Sequence, residues 1–221
     1  MDKSQKLFSL LTPQTIKLDP LEAELTKLFA NAYRYIHFSI ANQFYQIALS
    51  QNLDFDRICA ALTQDYPRMK DFPKPGFTAG PCLLKDTMQL SAFANNNFNL
   101  GHAAMLVNEG MPRFIIDTIK KTTPLSDKTV GILGMAFKSE SDDKRDSLSY
   151  KLARLLRIEA KKVYCSDEYI MNEGFMNAEA LIELSDLIII GTPHLKYKTL
   201  KFNPKSVFDI WGITSDTSKL Q

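Results

Sequence analysis

The side chains best suited to covalent chemistry are concentrated in one short stretch, Pro75 to Asp86, which reads PGFTAGPCLLKD. It places Cys82 directly after a loop rich in glycine and proline, and Lys85 and Asp86 follow within four residues. A thiol is nucleophilic as the thiolate, which a nearby cation and loop N–H groups favour, and a carboxylate can orient or deprotonate water. This combination fits chemistry at a carbonyl carbon, although a single cysteine near a glycine is more often a small buried hydrophobic residue.

A second stretch, Glu22 to Ala48, predicts one long helix upstream of the cysteine. Asp19 and Pro20 suit its start, as a capping residue and a first-turn proline. Lys27 and Asn31 are four residues apart and therefore share a face of this helix. They could act together in a site, but such a pair is more commonly just solvated surface residues. The helix is indicated by an apolar stripe with spacings of three and four, made of Leu21, Leu25, Leu28, Ala32, Ile36, Ile40, Phe44 and Ile47.

Taken together and in this order, the two stretches resemble the nucleotide-sugar dehydrogenase family, the UDP-glucose and GDP-mannose dehydrogenases. In that family an E-x-x-K-x-x-x-N helix precedes a glycine loop, the catalytic cysteine and a K-D pair. A third block, Gly131 to Ser147, is similar to the family's G-x-A-F-K-x-x-x-x-D-x-R-x-S block. The matching residues are Glu24, Lys27, Asn31, Gly80, Cys82, Lys85, Asp86, Gly134, Ala136, Phe137, Lys138, Asp143, Arg145 and Ser147.

The overall composition is that of a globular chain with balanced charge. Of 221 residues, 45% are hydrophobic and 24% charged, and the formal net charge is +2, which argues against nucleic acid or an anionic membrane as partner. No apolar run approaches the roughly 20 residues that cross a bilayer. Three cysteines without C-x-x-C spacing favour a reducing compartment, and hence the cytoplasm. The three histidines have no metal-ligand spacing, so no metal site is predicted.

In the second half of the chain the spacing of the apolar residues changes. Helical segments at 147–158 and 178–185 separate short apolar runs rich in β-branched residues, and this alternation predicts a parallel sheet with helices on both faces. The predicted fold class is therefore an α central dimerisation domain followed by a Rossmann-like α/β domain with a parallel sheet. The four predicted strands lie in residues 128–134, 161–167, 186–192 and 206–212.

The resemblance divides the chain into three segments. Residues 1–19 are expected to be the remnant of a missing NAD-binding domain, with LFSLLTPQTI as its last strand and exit loop. Residues 20–124 are expected to form the helical central domain with the cysteine loop, and residues 125–221 the nucleotide-sugar (UDP) binding domain. The G-x-G-x-x-G turn that opens a dinucleotide-binding domain does not occur in the sequence, so most of the NAD site is expected to come from a separate domain.

The activity implied by the resemblance is oxidation of a UDP-sugar C6 alcohol to a carboxylate, with two NAD. Cys82 would form a thiohemiacetal and then a thioester, Lys27 and Asn31 would stabilise the oxyanion, and Asp86 would position or activate the hydrolytic water. The implied cofactor contacts are Lys85 and Arg145. The implied substrate contacts are Arg68, Phe72, Lys74, Gly80, Phe137 and Lys138, with Arg68 acting in its own chain or across a dimer interface.

The resemblance also implies a homodimer that forms through the helix at residues 20–48. That helix is apolar on more than one side, which predicts burial on more than one side, either against a symmetry mate or beneath a missing domain. The aromatic residues that widen this apolar surface are Phe29, Tyr33, Phe38, Phe44 and Tyr45, of which Phe44 also belongs to the main stripe.

Departures from the family pattern leave the identity of the substrate sugar undetermined. Leu84 stands where a proline is usual, Gln43 replaces a glutamate, and Phe208 to Gly212 lacks the usual arginine. The main hypothesis is the catalytic and substrate-binding part of a dehydrogenase. The alternatives are a non-catalytic module that dimerises and binds a nucleotide sugar, or an unrelated α/β protein with chance matches.

Overall fold

The computed structural model describes residues 3–78, 80–202 and 205–214, so the last residues of the predicted UDP-binding segment, 215–221, lie outside the described residues. A helical part precedes a four-stranded sheet, which confirms the predicted fold class. Within the described residues no helix has the length and apolar character needed to cross a membrane. The elements are α1 (Lys3–Phe8), α2 (Pro20–Ser50), α3 (Phe55–Thr63), α4 (Leu83–Phe93), α5 (Asn99–Lys120), β1 (Thr129–Leu133), α6 (Leu148–Glu159), β2 (Lys162–Ser166), α7 (Ala178–Leu184), β3 (Leu187–Ile190) and β4 (Ser206–Phe208), with 3-10 turns at Pro67–Met69 and Leu195–Thr199.

The long helix α2 begins and ends at local signals in the sequence. The Glu22 carboxylate accepts the backbone N–H of Asp19 at 3.0 Å, and Pro20 occupies the first turn, which confirms the predicted start. The helix ends at Ser50, and Asn52 then adopts a left-handed conformation with φ of 56°. Asparagine tolerates this conformation better than most residues, so the chain turns there without a glycine.

Helices α4 and α5 pack against one side of α2. The chain breaks between them because Asn95 and Asn96 have φ of 51° and 61° and cannot continue a right-handed helix. The face of α2 turned towards these helices includes Leu28, Ala32 and Tyr35, all buried. Three helices thus bury one stripe of α2 and leave other apolar residues of α2 exposed.

The sheet has the strand order β2-β1-β3-β4, and all of its neighbouring strands are parallel. Alternate residues along the strands face opposite sides, as the pleat requires. Val130 and Ile132 join a core that includes α6 and extends to Tyr45 of α2 and Met111 of α5. The other side of the sheet packs on α7, so helices cover both faces as predicted. The helical part and the sheet therefore share one continuous hydrophobic core.

The strand predicted within residues 7–16 is not present. Residues Lys3–Phe8 form a short helix instead, and Ser9 N–H closes a helical hydrogen bond to Gln5 O at 3.0 Å. A strand needs a neighbouring ladder for its backbone groups, and no strand lies alongside this segment in the part of the chain that the structure describes. Its apolar residues are exposed, with Leu10 at 80% and Leu11 at 82%.

A buried carboxylate ties the end of β2 to the end of β1. Asp167 follows β2, and its side chain is inaccessible to solvent. Its Oδ2 accepts the N–H groups of Met135 and Ala136 at 2.6 and 3.0 Å, and Oδ1 accepts those of Tyr169 and Ile170. Burial raises the pKa of Asp167, but the hydrogen bonds from His194 and these N–H groups outweigh it and hold the pKa at about 2.

Stability should therefore depend on the charge of Asp167. Because its folded pKa lies below the unfolded value of about 3.9, its contribution is complete above about pH 5 and is lost as the pH falls through about 4 towards about 2. We expect the free energy of unfolding to fall over this window by roughly 2 kcal/mol more in the wild type than in Asp167→Asn. Urea titrations at several pH values measure this difference.

Asp127→Asn is the matched control, since the Asp127 side chain is 67% exposed. It should follow the wild-type pH profile. Equal acid sensitivity in the wild type and Asp167→Asn would contradict the assignment of this dependence to Asp167.

Candidate active site

The cysteine loop and the turn after β1 face each other across a cleft of about 600 Å³. Helix α2, Pro193 after β3 and the segment after β4 complete its walls. The cleft lies at the carboxyl end of β1, where ligands of parallel α/β sheets bind. Of the residues predicted to act in catalysis or to contact substrate or cofactor, those lining the cleft are Lys74, Gly80, Cys82, Phe137, Lys138 and Arg145.

Three further predicted residues meet beside Cys82. Asp86 lies one turn after Cys82 in α4, and only 1% of its side chain is exposed. Lys27 Nζ lies 2.5 Å from Asp86 Oδ2, and Asn31 Nδ2 donates to the same oxygen at 2.6 Å. The prediction that Lys27 and Asn31 share a face is confirmed. Lys85 Nζ lies 3.4 Å from the other oxygen, Oδ1, and remains exposed.

Asp86 and Lys27 each favour the charged form of the other. Burial raises the pKa of Asp86, but the hydrogen bonds from Lys27 and Asn31 outweigh it and hold the pKa below its ordinary value. The bond to Asp86 raises the pKa of Lys27, and the nearby Cys82 contributes in the same direction. Asp86 is therefore anionic and Lys27 cationic at neutral pH. A carboxylate with a lowered pKa is a weak base, so Asp86 is better suited to holding donors and water in place than to removing a proton.

Cations dominate the charged lining of the cleft. Arg34, Lys74, Lys138 and Arg145 all line it, against the single carboxylate of Asp143. That carboxylate is already used by Arg145, whose Nε and Nη2 donate to it at 3.0 and 2.6 Å. The pKa of Asp143 is accordingly lowered to about 2. Among the described residues Arg34, Lys74 and Lys138 form no ion pair, although Lys138 also helps to lower the pKa of Asp143, and this excess of cations favours an anionic ligand.

The loop that carries Cys82 is positioned from the helical part by a buried amide chain. Asn42 Oδ1 accepts the N–H of Gly76 at 2.8 Å, and Asn42 Nδ2 donates to Asn108 Oδ1 at 2.9 Å. Asn108 Nδ2 in turn donates to Tyr35 O at 3.0 Å. Both asparagines are completely buried, so each bond is costly to leave unmade. The loop is thereby fixed to α2 and α5.

Two glycines allow the same loop to approach the other wall of the cleft. Gly80 has φ of 110°, and a Cβ there would lie 2.7 Å from Cδ2 of Phe137. At Gly76 a Cβ would lie 2.1 Å from the ring of Trp211. Any larger residue would clash with one of these rings, so the close contact across the cleft requires glycine at both positions.

Two predicted substrate residues lie away from the cleft. Arg68 is exposed in the turn Pro67–Met69 and does not line it. Phe72 packs against the core instead, with its ring centroid 6.0 Å from that of Phe44. An aromatic side chain in a proline-rich loop is as well suited to covering a core as to contacting a ligand, and the contact with Phe44 shows that Phe72 does the former.

Arg34 and Trp211 are among the lining residues that sequence reasoning did not predict. Arg34 comes seven residues after Lys27, so it continues the stripe of Lys27 and Asn31 along α2, and this spacing could have identified it. Trp211 lies in the segment that lacks the family's arginine. Its Nε1 donates to Ile190 O at 3.1 Å and its ring lies against Gly76, a contact that no local pattern encodes.

The described residues do not fit a complete NAD site. A long irregular segment, residues 134–147, separates β1 from α6, so β1 does not lead through a tight glycine turn into a helix as dinucleotide cradles do. Lys85 and Arg145, the cations that the resemblance assigns to the cofactor, contact Asp86 and Asp143.

Comparison with known proteins identifies both parts of the chain. Residues 21–110 match the model of the UDP-glucose/GDP-mannose dehydrogenase family, central domain, and residues 131–216 match the model of the UDP binding domain of the same family. A curated relative, the UDP-N-acetyl-D-mannosamine dehydrogenase of Pyrococcus horikoshii, is 30% identical over 187 residues, which are 81% of this chain and 44% of the relative.

Solved structures agree with these matches. The UDP-D-ManNAc dehydrogenase of Pyrococcus horikoshii has a TM-score of 0.85 at 26% identity, covering 96% of this chain and 54% of that one. A UDP-glucose dehydrogenase of the archaeon Pyrobaculum islandicum has a TM-score of 0.84 at 26% identity, covering 98% and 54%. The chain spans about half the length of the relatives it matches. With family matches in both of its parts, the chain belongs to the UDP-glucose/GDP-mannose dehydrogenase family.

Proposed function

We propose that the chain forms the substrate-binding and cysteine-bearing part of a nucleotide-sugar dehydrogenase that oxidises the C6 alcohol of a UDP-sugar to a carboxylate. The observation that carries this proposal is the single cleft that combines the thiol of Cys82 with Lys74, Lys138 and Arg145. The names of the relatives support the substrate class, since they include UDP-glucose and UDP-N-acetylhexosamine dehydrogenases.

The covalent chemistry is assigned to Cys82. Its Sγ adds to the carbon of the intermediate C6 aldehyde, and the carbonyl oxygen takes a proton to give a thiohemiacetal. Oxidation of the thiohemiacetal would then remove a hydride from C6 and the proton of its hydroxyl group, which would leave a thioester, and water would cleave the C–S bond to release the acid and restore the thiol. The two hydrides lost overall need an acceptor, which the resemblance identifies as NAD and which the described residues do not hold as a complete site.

Lys27 and Asn31 are assigned to the oxygen on C6. Each has N–H groups beyond the one given to Asp86, and Asp86 fixes both donors next to the cysteine. Donors held in place by the protein stabilise a developing oxyanion without reorganising during the reaction.

The diphosphate is assigned to the cationic side of the cleft. Lys138 and Arg145 follow β1, where residues 125–221 would form the UDP-binding domain, and Phe137 offers a ring face there. Arg34 and Lys74 approach from the helical part, residues 20–124. Guanidinium and ammonium groups form strong charge-assisted hydrogen bonds to phosphate oxygens. Lys85 remains assigned to the cofactor side, while Arg68 could reach a ligand only from a second chain.

A homodimer through α2 is part of the proposal. Phe29 and Tyr33 on α2 are 55% and 66% exposed. They line an apolar groove of about 360 Å³ with Ala32, Ile36, Leu90, Ala94, Asn97 and Phe98. A helix face of this kind is self-complementary across a twofold axis, and it would be covered by the same face of a second chain.

We expect a UDP-sugar to protect Cys82 from alkylation, because the thiol lines the cleft that the sugar would occupy. Iodoacetamide should modify Cys82 at least about fivefold more slowly with saturating UDP-glucose or UDP-N-acetylhexosamine, while the half-buried Cys59 serves as the internal control. Peptide mass spectrometry measures both rates. Unchanged alkylation of Cys82 with every sugar nucleotide would contradict the placement of the sugar beside the thiol.

NADH formation with added NAD is the direct assay of turnover. The second oxidation, from aldehyde to acid, should be lost in Cys82→Ala and kept in Cys59→Ala. Formation of the UDP-sugar acid by Cys82→Ala would refute the covalent role. Protection of Cys82 without turnover would instead favour a module that binds the nucleotide sugar.

Replacing Arg34 by Gln should weaken UDP-sugar binding about tenfold, since one charge-assisted contact to an anionic ligand is removed. Isothermal titration calorimetry measures the dissociation constant. Arg154→Gln is the control, because Arg154 is exposed on α6 and does not line the cleft. Equal affinities of the two variants would exclude Arg34 as a ligand contact.

Phe29→Glu should shift the wild-type dimer towards monomer, because it places a charge in an interface that buries the ring. Sedimentation velocity across a concentration series measures the shift. Ile158→Glu, at a residue 83% exposed on α6, should leave the dimer intact. A wild type that is monomeric throughout, or a Phe29→Glu dimer of undiminished stability, would rule out this interface.

A further inference from the structure

The turn that carries Phe137 and Lys138 into the cleft is held at both ends by buried side chains that do not line the cleft. At its start, Asp167 accepts the N–H groups of Met135 and Ala136. At its far end, the N–H of Glu140 donates to Nδ1 of His194 at 3.0 Å. His194 is completely buried. Between these two attachments, residues 137–139 line the cleft.

The two attachments are joined to each other. His194 Nε2 lies 3.2 Å from Asp167 Oδ2. Because the N–H of Glu140 points at Nδ1, that nitrogen carries the lone pair, and Nε2 therefore carries the hydrogen and donates to Asp167. His194 thus bridges the two ends of the turn, with each ring nitrogen in one hydrogen bond.

The far end of the turn has an unfavourable backbone that needs such support. Glu140 has φ of 54°, an uncommon conformation for a residue other than glycine, asparagine or aspartate. Its carboxylate accepts the N–H of Leu195 at 2.8 Å and the hydroxyl of Tyr169 at 2.5 Å. With the bond to His194, three contacts from residues after β2 and β3 hold Glu140 in this conformation.

The ring of His194 is fixed from other directions as well. Tyr169 and Tyr197 lie with ring centroids 5.0 and 5.3 Å from it. The residue before it, Pro193, lines the cleft directly. Since His194 itself does not line the cleft, a change in its ring would reach the cleft wall through Glu140 N–H or through the backbone of Pro193, and not through loss of a ligand contact.

We propose that His194 is a positioning residue for the nucleotide, which acts through the N–H of Glu140 to keep the turn at residues 137–139 in its binding conformation. This role rests on the proposed binding of a nucleoside diphosphate in the cleft. The preformed turn lowers the entropy that the protein loses on binding, so Phe137 and Lys138 meet the ligand already in place.

Two substitutions separate the hydrogen bonds of His194. In His194→Asn the amide oxygen takes the place of Nδ1, so the acceptor for Glu140 N–H is kept while the bond to Asp167 is lost. In His194→Gln the longer side chain can still donate to Asp167, but nothing replaces Nδ1. His102→Gln is the matched control, because His102 contacts Ser91 on α4 at 2.8 Å and does not line the cleft.

UDP is the probe, and its dissociation constant is measured by calorimetry well below each thermal midpoint. We expect about fivefold weaker binding in His194→Gln, less than about twofold in His194→Asn, and no change in His102→Gln. Hydrogen exchange of a peptide spanning residues 136–141 in the free protein should be faster in His194→Gln than in the wild type. A purely structural role would lower the thermal midpoint and leave the UDP affinity unchanged.

Each other outcome overturns a different statement. Unchanged exchange in His194→Gln shows that the ring does not hold the turn. Faster exchange with unchanged affinity shows that the turn need not be held for binding, and equally weak binding in both variants shows that Glu140 N–H is not the route. If the wild type itself does not bind UDP, the proposed function is wrong, and the role of His194 in binding fails with it.

Discussion

A buried charge must be neutralised, and Asp86 is the buried charge from which the candidate active site is organised. Its carboxylate is almost inaccessible, and it is tolerated because Lys27 and Asn31 donate to one oxygen while Lys85 lies near the other. This requirement fixes the register of α2 against α4. Because Cys82 stands immediately before α4, one turn from Asp86, the same register brings the cysteine close enough to Lys27 to affect its pKa. The geometry of the proposed chemistry thus follows from satisfying one carboxylate.

The other wall of the cleft is organised in the same way by Asp167. Both carboxylates have lowered pKa values because hydrogen-bond donors outweigh burial, but their donors differ. Asp86 is satisfied mainly by side chains, which are available to face a ligand. Asp167 is satisfied largely by backbone N–H groups, which shape a turn. One carboxylate therefore orients reactive groups, whereas the other shapes the surface on which a nucleotide would rest.

Periodic patterns predicted the fold well because they report burial directly. The long helix and the alternating strands and helices of the second half appear where the sequence placed them. The stripe predicted on α2 is only partly buried: Leu28 and Ala32 are buried, whereas Leu21, Ile40, Phe44 and Ile47 are exposed. The cleft was predicted in part, since Cys82, Lys138 and Arg145 belong to local motifs. His194 was not assigned a role, because its partners Asp167 and Glu140 are distant in sequence and only the sheet brings them together. The strand expected within residues 7–16 was wrong because a strand depends on neighbours that periodicity does not reveal.

The hydrophobic core shared by the helical part and the sheet has a consequence for how the protein unfolds. Tyr45 and Met111 belong to the same cluster as Val130 and Ile132, so the two parts are not independent folding units. Loss of one would expose apolar surface of the other, which favours a single cooperative transition. A ligand bridging the cleft would accordingly protect both parts against global opening, including segments far from any atom that it touches.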